Sequence, residues 1–181
     1  MSPELLLWVL ARASGVASTV ALVLSVVSGM ALRSGALGWL SHNRAVRALH
    51  DLTGLLWLPL GAAHVVALVL DPAARIAPID LLVPFGVPYG RLAIGLGTVS
   101  AQLLVLVMVT GWLRRHYAPE IWLFIHRLSY VAFAALVAHV FLSGTDFAAP
   151  AIAALAWVVV AGVAAVFALR LVRGLARNAA R

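Results

Sequence analysis

The chain has no cysteine and no lysine, and charged residues make up only 10% of its 181 residues. Without cysteine there can be no structural disulfide, thiolate metal site or cysteine nucleophile. Hydrophobic residues reach 64%, whereas soluble domains contain about half apolar and about a quarter charged residues. The sequence therefore predicts an integral membrane protein. Its net charge of +7 then belongs to arginines that flank membrane helices, so no nucleic-acid partner is expected.

Five apolar segments are each long enough to cross a bilayer. They predict an all-α integral membrane helical bundle, with residues 1–181 as a single transmembrane domain. The predicted helices are Leu5–Leu32, Leu49–Leu70, Arg91–Leu113, Ile121–Leu142 and Ala151–Val172. The prolines in residues 71–90 rule out a regular helix there and predict a stiff surface loop or a re-entrant cap. Residues 173–181 form an arginine-rich tail.

The arginines are distributed unevenly between the two ends of the predicted helices. One end has only Arg75 and Arg91, with Arg12 inside the first helix nearby. The other end collects Arg33, Arg44, Arg47, Arg114, Arg115, Arg170, Arg173, Arg177 and Arg181. Because positive loops stay in the cytoplasm, we expect a cytoplasmic C-terminus and an exterior N-terminus in a bacterial-type inner membrane. The 71–90 loop is then exterior and the 173–181 tail cytoplasmic.

Two of the predicted helices each carry a pair of histidines. His50 and His64 lie fourteen residues apart in the second helix, and His126 and His139 lie thirteen apart in the fourth. At about 1.5 Å per residue each pair spans roughly 20 Å. The two helices run parallel in the predicted topology, so His50 is level with His126 and His64 is level with His139. Two facing imidazoles at one level suit a haem iron with two axial histidines, and two stacked haems would carry an electron across most of the membrane.

The helical phase fits this interpretation less well than the spacing does. At about 100° per residue, His50 and His64 share a face, but His126 and His139 differ by about 140°. The fourth helix must therefore twist, bulge or direct its histidines around opposite flanks of a shared groove. A weak echo of LHDLT and GAAHV in IHRLS and LVAHV favours a shared structural role for the two helices.

Haem propionates are anionic, and arginine is well suited to bind carboxylates. Arg47 and Arg127 are placed for the cytoplasmic haem, and Arg12 is placed for the outer one. The alternative roles are a topology signal for Arg47 and snorkelling to the interface for Arg12. With histidine in both axial positions, iron has no open site for substrate, so we expect electron transfer and no catalytic residues on this chain.

Other interpretations of the histidines come from different functional classes. They can be packing residues in a haem-free subunit that anchors or stabilises a partner, or part of a transporter of metal or haem. A proton or metal-ion pathway usually employs carboxylates inside the membrane. Every Asp and Glu here is expected at a helix end or in a loop, which disfavours that pathway.

The sequence resembles the ferric reductase-like transmembrane domain family over nearly its whole length. That family includes ferric reductases, the membrane part of NADPH oxidases, and the haem-binding subunit of bacterial periplasmic methionine sulfoxide reductase systems. The resemblance depends on the paired histidine spacings and on three strings: ARASG around Arg12, DLLVPFGVPYG before the third helix, and IWLFIHRLSY at the start of the fourth.

The resemblance implies two b-type haems, with His50 and His126 ligating the cytoplasmic one and His64 and His139 the outer one. It also implies that electrons move outward from a reduced flavin. The larger members carry flavin and nicotinamide domains and commonly six spans, whereas this sequence has five predicted spans and no GxGxxG turn after a strand.

We therefore expect the electron donor to be a separate flavoprotein or a quinol. An FMN or FAD would sit on that partner chain or at the cytoplasmic face, and the arginine-dense surface would favour an acidic partner. Ferric iron, methionine sulfoxide, oxygen and a protein all remain candidate acceptors at the outer face.

Overall fold

The structure, a computed structural model, describes residues 2–33, 42–145 and 149–179. These residues form five α-helices: α1 (Pro3–Arg33), α2 (Arg44–Leu70), α3 (Arg91–Trp112), α4 (Pro119–Ser143) and α5 (Pro150–Ala179). Each helix contains a stretch that is long and apolar enough to cross a membrane, and no strand occurs among the described residues. The prediction of an all-α, multi-pass membrane protein is confirmed.

Two helices extend beyond a predicted end by five residues or more, in both cases into arginine-containing sequence. Helix α2 begins at Arg44 instead of Leu49, and α5 continues to Ala179 instead of ending near Val172. Arginine is a strong helix former, so the backbone helix continues past the apolar part that marks the hydrocarbon. As a result Asp51 lies in the second turn of α2 rather than at its start. The connection at 34–41, and Arg181 at the end of the predicted tail, lie outside the described residues.

The chain divides into two compact units, each with its own packing. The first unit comprises Met1–Leu22 and Gly54–Gly144, and the second comprises Val23–Thr53 and Thr145–Arg181. The first unit therefore contains the beginning of α1, most of α2, and all of α3 and α4. The second contains the rest of α1, the beginning of α2, and α5.

Within the first unit, α3 and α4 pack side by side as an antiparallel pair. The hydroxyl of Ser100 on α3 donates to the backbone carbonyl of Ala132 on α4 at 2.8 Å, and the two residues are 1% and 0% exposed. Small side chains at this contact let the two backbones approach closely, which is how helices associate in membranes where hydrocarbon offers no hydrophobic driving force.

Helix α1 buries a stripe of small residues that includes Ser14, Ser18, Ser25 and Ser28. Serine inside a membrane needs a hydrogen-bond partner, because lipid tails offer none. Ser28 donates to the carbonyl of Leu24, four residues earlier, at 2.6 Å, so its hydroxyl is satisfied by its own helix. The stripe therefore presents a nearly flat surface on which bulkier side chains can lie.

Candidate functional site

His64 on α2 and His139 on α4 come together in the first unit. Their ring centroids are 6.5 Å apart and their ring planes meet at 77°. Both side chains are half-buried. The structure thus brings together the two histidines that the sequence predicts at one level of the membrane.

Each of these rings is oriented by a backbone carbonyl of a neighbouring helix. The Nδ1 atom of His64 lies 2.7 Å from the carbonyl oxygen of Ala11 on α1, and Nδ1 of His139 lies 2.8 Å from that of Ala93 on α3. A carbonyl can only accept, so Nδ1 carries the proton in both rings. The lone pair of each neutral imidazole then resides on Nε2, the atom left free to ligate a metal.

Both rings also lie against a glycine that follows the anchoring carbonyl by four residues. A Cβ on Gly15 would be 2.8 Å from Nδ1 of His64, and a Cβ on Gly97 would be 2.7 Å from Nδ1 of His139. Such distances are far inside van der Waals contact, so only glycine lets the imidazole reach the carbonyl. We call each pair of carbonyl and glycine a histidine seat.

A third seat lies in the second unit and holds His50. Nδ1 of His50 is 2.8 Å from the carbonyl oxygen of Ser25, and a Cβ on Gly29 would be 3.0 Å from Cε1 of the ring. The same tautomer follows, with the proton on Nδ1. The two seats on α1 are fourteen residues apart in sequence, as are His64 and His50 on α2.

The seats have a sequence signal that spacing between histidines does not reveal. Both seats on α1 read Leu, small residue, two variable residues, Ser and Gly, at 10–15 and at 24–29. In each, the serine hydroxyl donates back to the carbonyls three and four residues earlier. The Ser-Gly pair recurring after fourteen residues matches the fourteen-residue step between His50 and His64, and could have identified Gly15 and Gly29 from sequence.

Helix α3 carries looser versions of this pattern: 92–97, the seat of His139, has Leu96 where α1 has serine, and 106–111 has Val107 at the small position and Thr110 in place of serine. In this last copy the hydroxyl of Thr110 donates to the carbonyls of Leu106 and Val107 at 2.7 and 3.1 Å, as the serines do on α1. Among the described residues, no atom lies within 4 Å of a Cβ on Gly111, so none of their histidines occupies this copy. The step from His126 to His139 is thirteen residues instead of fourteen, and this difference of one residue turns His126 away from it by about 100°.

His126 instead stacks on a tryptophan of its own helix. The rings of Trp122 and His126 have centroids 5.1 Å apart and planes 21° from parallel. The indole N–H of Trp122 is buried, and it has no hydrogen-bond partner among the described residues. An unpaired buried donor costs roughly 1–3 kcal/mol, so this N–H is poised to bind an acceptor beside His126. His126 and His50 belong to different compact units.

The three predicted arginines differ in their surroundings. The guanidinium of Arg12 lies 4.5 Å from the ring centre of Trp8, a cation–π contact directed towards the helix end. That direction agrees with the snorkelling alternative. Arg47 and Arg127 are both exposed, and the structure gives neither an anionic partner within the described residues.

The remaining histidines, His42 and His116, lie at exposed positions outside the long helices. Nε2 of His116 accepts a hydrogen bond from Nε of Arg115 at 3.1 Å. Among the described residues, no three His, Cys, Asp or Glu side chains are grouped closely enough to hold a metal ion. The arrangement that the first unit does offer is a pair of opposed imidazoles.

An opposed pair of this kind has the dimensions of axial haem ligation. Two iron–nitrogen bonds of about 2 Å, with roughly 1.1 Å more from each nitrogen to its ring centre, put axial imidazole centroids about 6 Å apart. The 6.5 Å between His64 and His139 agrees with that separation. The residues present therefore fit a bis-histidine haem at this level.

One comparison with known proteins finds a match. The family model described as "Ferric reductase like transmembrane component" matches residues 14–137, about two thirds of the chain. The matched segment contains His50, His64 and His126, and ends two residues before His139. No curated protein and no solved structure matches the chain significantly.

Proposed function

Since the chain belongs to the family of ferric reductase-like transmembrane components, we propose that it is a cytochrome b subunit that transfers electrons through the membrane by way of two bis-histidine haems. A membrane electron-transfer role is what membership of the family suggests. The number of haems, their ligands and the direction of transfer are the parts that we add.

The observation that carries the proposal is the opposed pair of His64 and His139. Their ring separation suits one iron between them, and both rings have the tautomer that leaves Nε2 unprotonated. Packing histidines have no reason to share one tautomer, one kind of carbonyl anchor and a glycine each. Ligands to a metal do, because an N–H donated to a second group fixes ring orientation and raises ligand basicity.

His50 and His126 would hold the second haem. His50 has the same kind of carbonyl anchor as the outer ligands and also lies against a glycine, which supports a ligand role for it. Haem, when bound, supplies the one-electron chemistry of its iron. The protein's own part is to fix the imidazoles, to exclude water, and to meet the propionates with donors such as Arg12, Arg47, Arg127 and the Trp122 N–H.

The chain would take electrons from a flavoprotein or a quinol at the cytoplasmic side and deliver them to an acceptor at the outer side. The orientation rests on the arginines, which concentrate at the end of the helices where we place the cytoplasm. The same positive surface would attract an acidic flavoprotein, since complementary fields speed encounter. The membrane would be a bacterial-type inner membrane.

Absorption spectroscopy of the purified protein tests the proposal against a haem-free anchor or a transporter. We expect a Soret band and, on reduction with dithionite, a sharp α band, with two haems per chain by pyridine haemochrome assay. A stably folded protein that stays colourless after expression with ample haem would contradict the proposal and favour the anchor. Haem that is bound but released without a reducible α band would favour a transporter.

Trp122→Phe should have opposite effects on the haem-free and haem-bound protein. The phenyl ring keeps the stacking surface for His126 but removes the indole N–H that has no partner. Because phenylalanine buries no unpaired donor, the haem-free variant should be more stable to unfolding than the unsubstituted protein by about 1 kcal/mol. If the N–H binds a propionate, the same change should weaken haem retention. Thermal unfolding of the haem-free protein and haem titration measure the two effects, and equal haem affinity in both proteins would show that the indole binds no propionate.

A further inference from the structure

Helix α3 carries two polar side chains that the histidine sites do not use, Thr98 and Gln102. With Gly95 and Arg91 they form a stripe at steps of four, three and four residues, which is one face of a helix. The residues that meet α4, such as Ser100, lie roughly 200° away at about 100° per residue. This second face of α3 therefore points away from α4.

The stripe is covered by the segment between α2 and α3. The amide of Gln102 donates to the carbonyls of Leu81 and Leu82 at 2.9 and 3.1 Å, and the hydroxyl of Thr98 donates to that of Asp80 at 3.5 Å. Nearer the start of α3, the Phe85 ring lies against Gly95 so closely that a Cβ there would overlap it. The loop is thus fixed to α3 at three successive levels.

These contacts place the loop deep beside the helix. Helix α3 is 22 residues long, or about 33 Å, which is one bilayer thickness. Gln102 is eleven residues from its start, about 16 Å along the axis, and Thr98 is about 10 Å along it. The tip of the loop, residues 79–83, therefore reaches past Ala93, the carbonyl that anchors His139. A segment on the surface would not reach Gln102.

The side of the tip that faces away from α3 is apolar and exposed. Ile79 is 58%, Leu82 72% and Val83 51% exposed, and none of them carries a charge. The carboxylate of Asp80 accepts the backbone N–H of Ala77 at 2.9 Å. At this depth the surroundings of an exposed apolar side chain are acyl chains. We propose that residues 78–85 form a re-entrant segment, anchored on α3, whose outer side contacts lipid.

The backbone of the segment is suited to that position. Irregular backbone survives at membrane depth only where its polar groups are satisfied by protein. Pro78 and Pro84 have no N–H to satisfy, and a short 3-10 helix at Pro78–Leu81 pairs others internally. Three further carbonyls at the tip, those of Asp80, Leu81 and Leu82, accept hydrogen bonds from Thr98 and Gln102. This accounts for an amide at the centre of a membrane helix.

Lipid contact can be measured directly, because the chain has no cysteine and single cysteines can be introduced. Leu82→Cys is the test position, Ala73→Cys marks the exposed part of the loop before the tip, and Val131→Cys marks an exposed face of α4. Each is labelled with bimane and reconstituted in phosphatidylcholine liposomes with or without brominated acyl chains. We expect bimane on Leu82→Cys to be quenched as strongly as bimane on Val131→Cys. Bimane on Ala73→Cys should not be quenched, and the unlabelled Ala73→Cys thiol should react with a charged maleimide.

Two results would overturn the inference. One is that Leu82→Cys reacts with the charged maleimide as fast as Ala73→Cys when the reagent is present on both sides of the liposomes. The other is that Leu82→Cys is shielded in native membranes but becomes reactive in liposomes of pure protein, which would mean that a protein subunit covers the tip. The measurement needs no cofactor, so a colourless protein would end the proposed function and leave this inference standing.

A matched pair of variants tests the anchoring of residues 78–85 on α3. Gly95→Ala places a Cβ in the Phe85 ring, whereas Gly111→Ala on the same helix meets no atom within 4 Å. We expect Gly95→Ala to release the tip, so that quenching at Leu82→Cys falls at least twofold, and Gly111→Ala to leave it unchanged. Quenching at Val131→Cys reports whether the helices remain inserted. Undiminished quenching at Leu82→Cys in Gly95→Ala would contradict the anchoring.

Discussion

His64→Ala is expected to remove the outer haem and to leave the inner one, so that haem per chain falls by about half. Removing one axial imidazole leaves His139 as a single ligand, still directed by Ala93, but with no partner on the opposite side of the iron. His139→Ala should give the same loss for the same reason. The near-perpendicular ring planes, at 77°, predict that the ferric EPR signal that disappears is a highly anisotropic low-spin one.

Combining the two substitutions tests the pairing itself. If His64 and His139 hold one iron, the double variant should retain as much haem as either single variant, because residues that act as a unit are not additive. Loss of all haem in the double variant would mean that the two histidines serve different haems. His42→Ala and His116→Ala, at exposed positions outside the long helices, are the controls and should keep the full spectrum.

Length and hydropathy predict the five helices because a bilayer leaves few alternatives for an apolar segment of about 20 residues. The phase of the fourth helix was also informative. Its two histidines differ by about 140° on an ideal helix, and α4 is a regular α-helix throughout Pro119–Ser143. Its two histidines have different neighbours: His139 meets α3, and His126 lies on Trp122.

The helix contacts that make the site are harder to predict from sequence. Which carbonyl a histidine reaches depends on the register between two helices, and register is set by side-chain packing along their whole length. The Ser-Gly repeat on α1 carries that information only once α1 is known to pack antiparallel on α2. Likewise the sequence does not predict the hydrogen-bond partners of Gln102. These are the carbonyls of Leu81 and Leu82, and the proline content of their segment does not specify its path.

Gly15→Ala and Gly97→Ala should each weaken outer haem binding by about 10- to 100-fold, the usual effect of losing a group that orients a metal ligand. The added methyl would stand 2.8 Å from Nδ1 of His64 or 2.7 Å from Nδ1 of His139, so the ring must leave its carbonyl. Gly29→Ala, where the nearest ring atom is 3.0 Å away, should affect the inner haem instead, and less strongly.

The direction of the stability change separates this effect from misfolding. Alanine favours a helix over glycine by about 1 kcal/mol, so haem loss from Gly15→Ala should not reflect a weaker α1 helix. Gly162→Ala, on α5 with no atom within 4 Å of the new Cβ, is the matched control and should keep full haem content. Haem titration and redox titration of these four glycine-to-alanine variants measure the result. Equal haem affinity in Gly15→Ala and Gly162→Ala would mean that the contact between glycine and imidazole does not position the ligand.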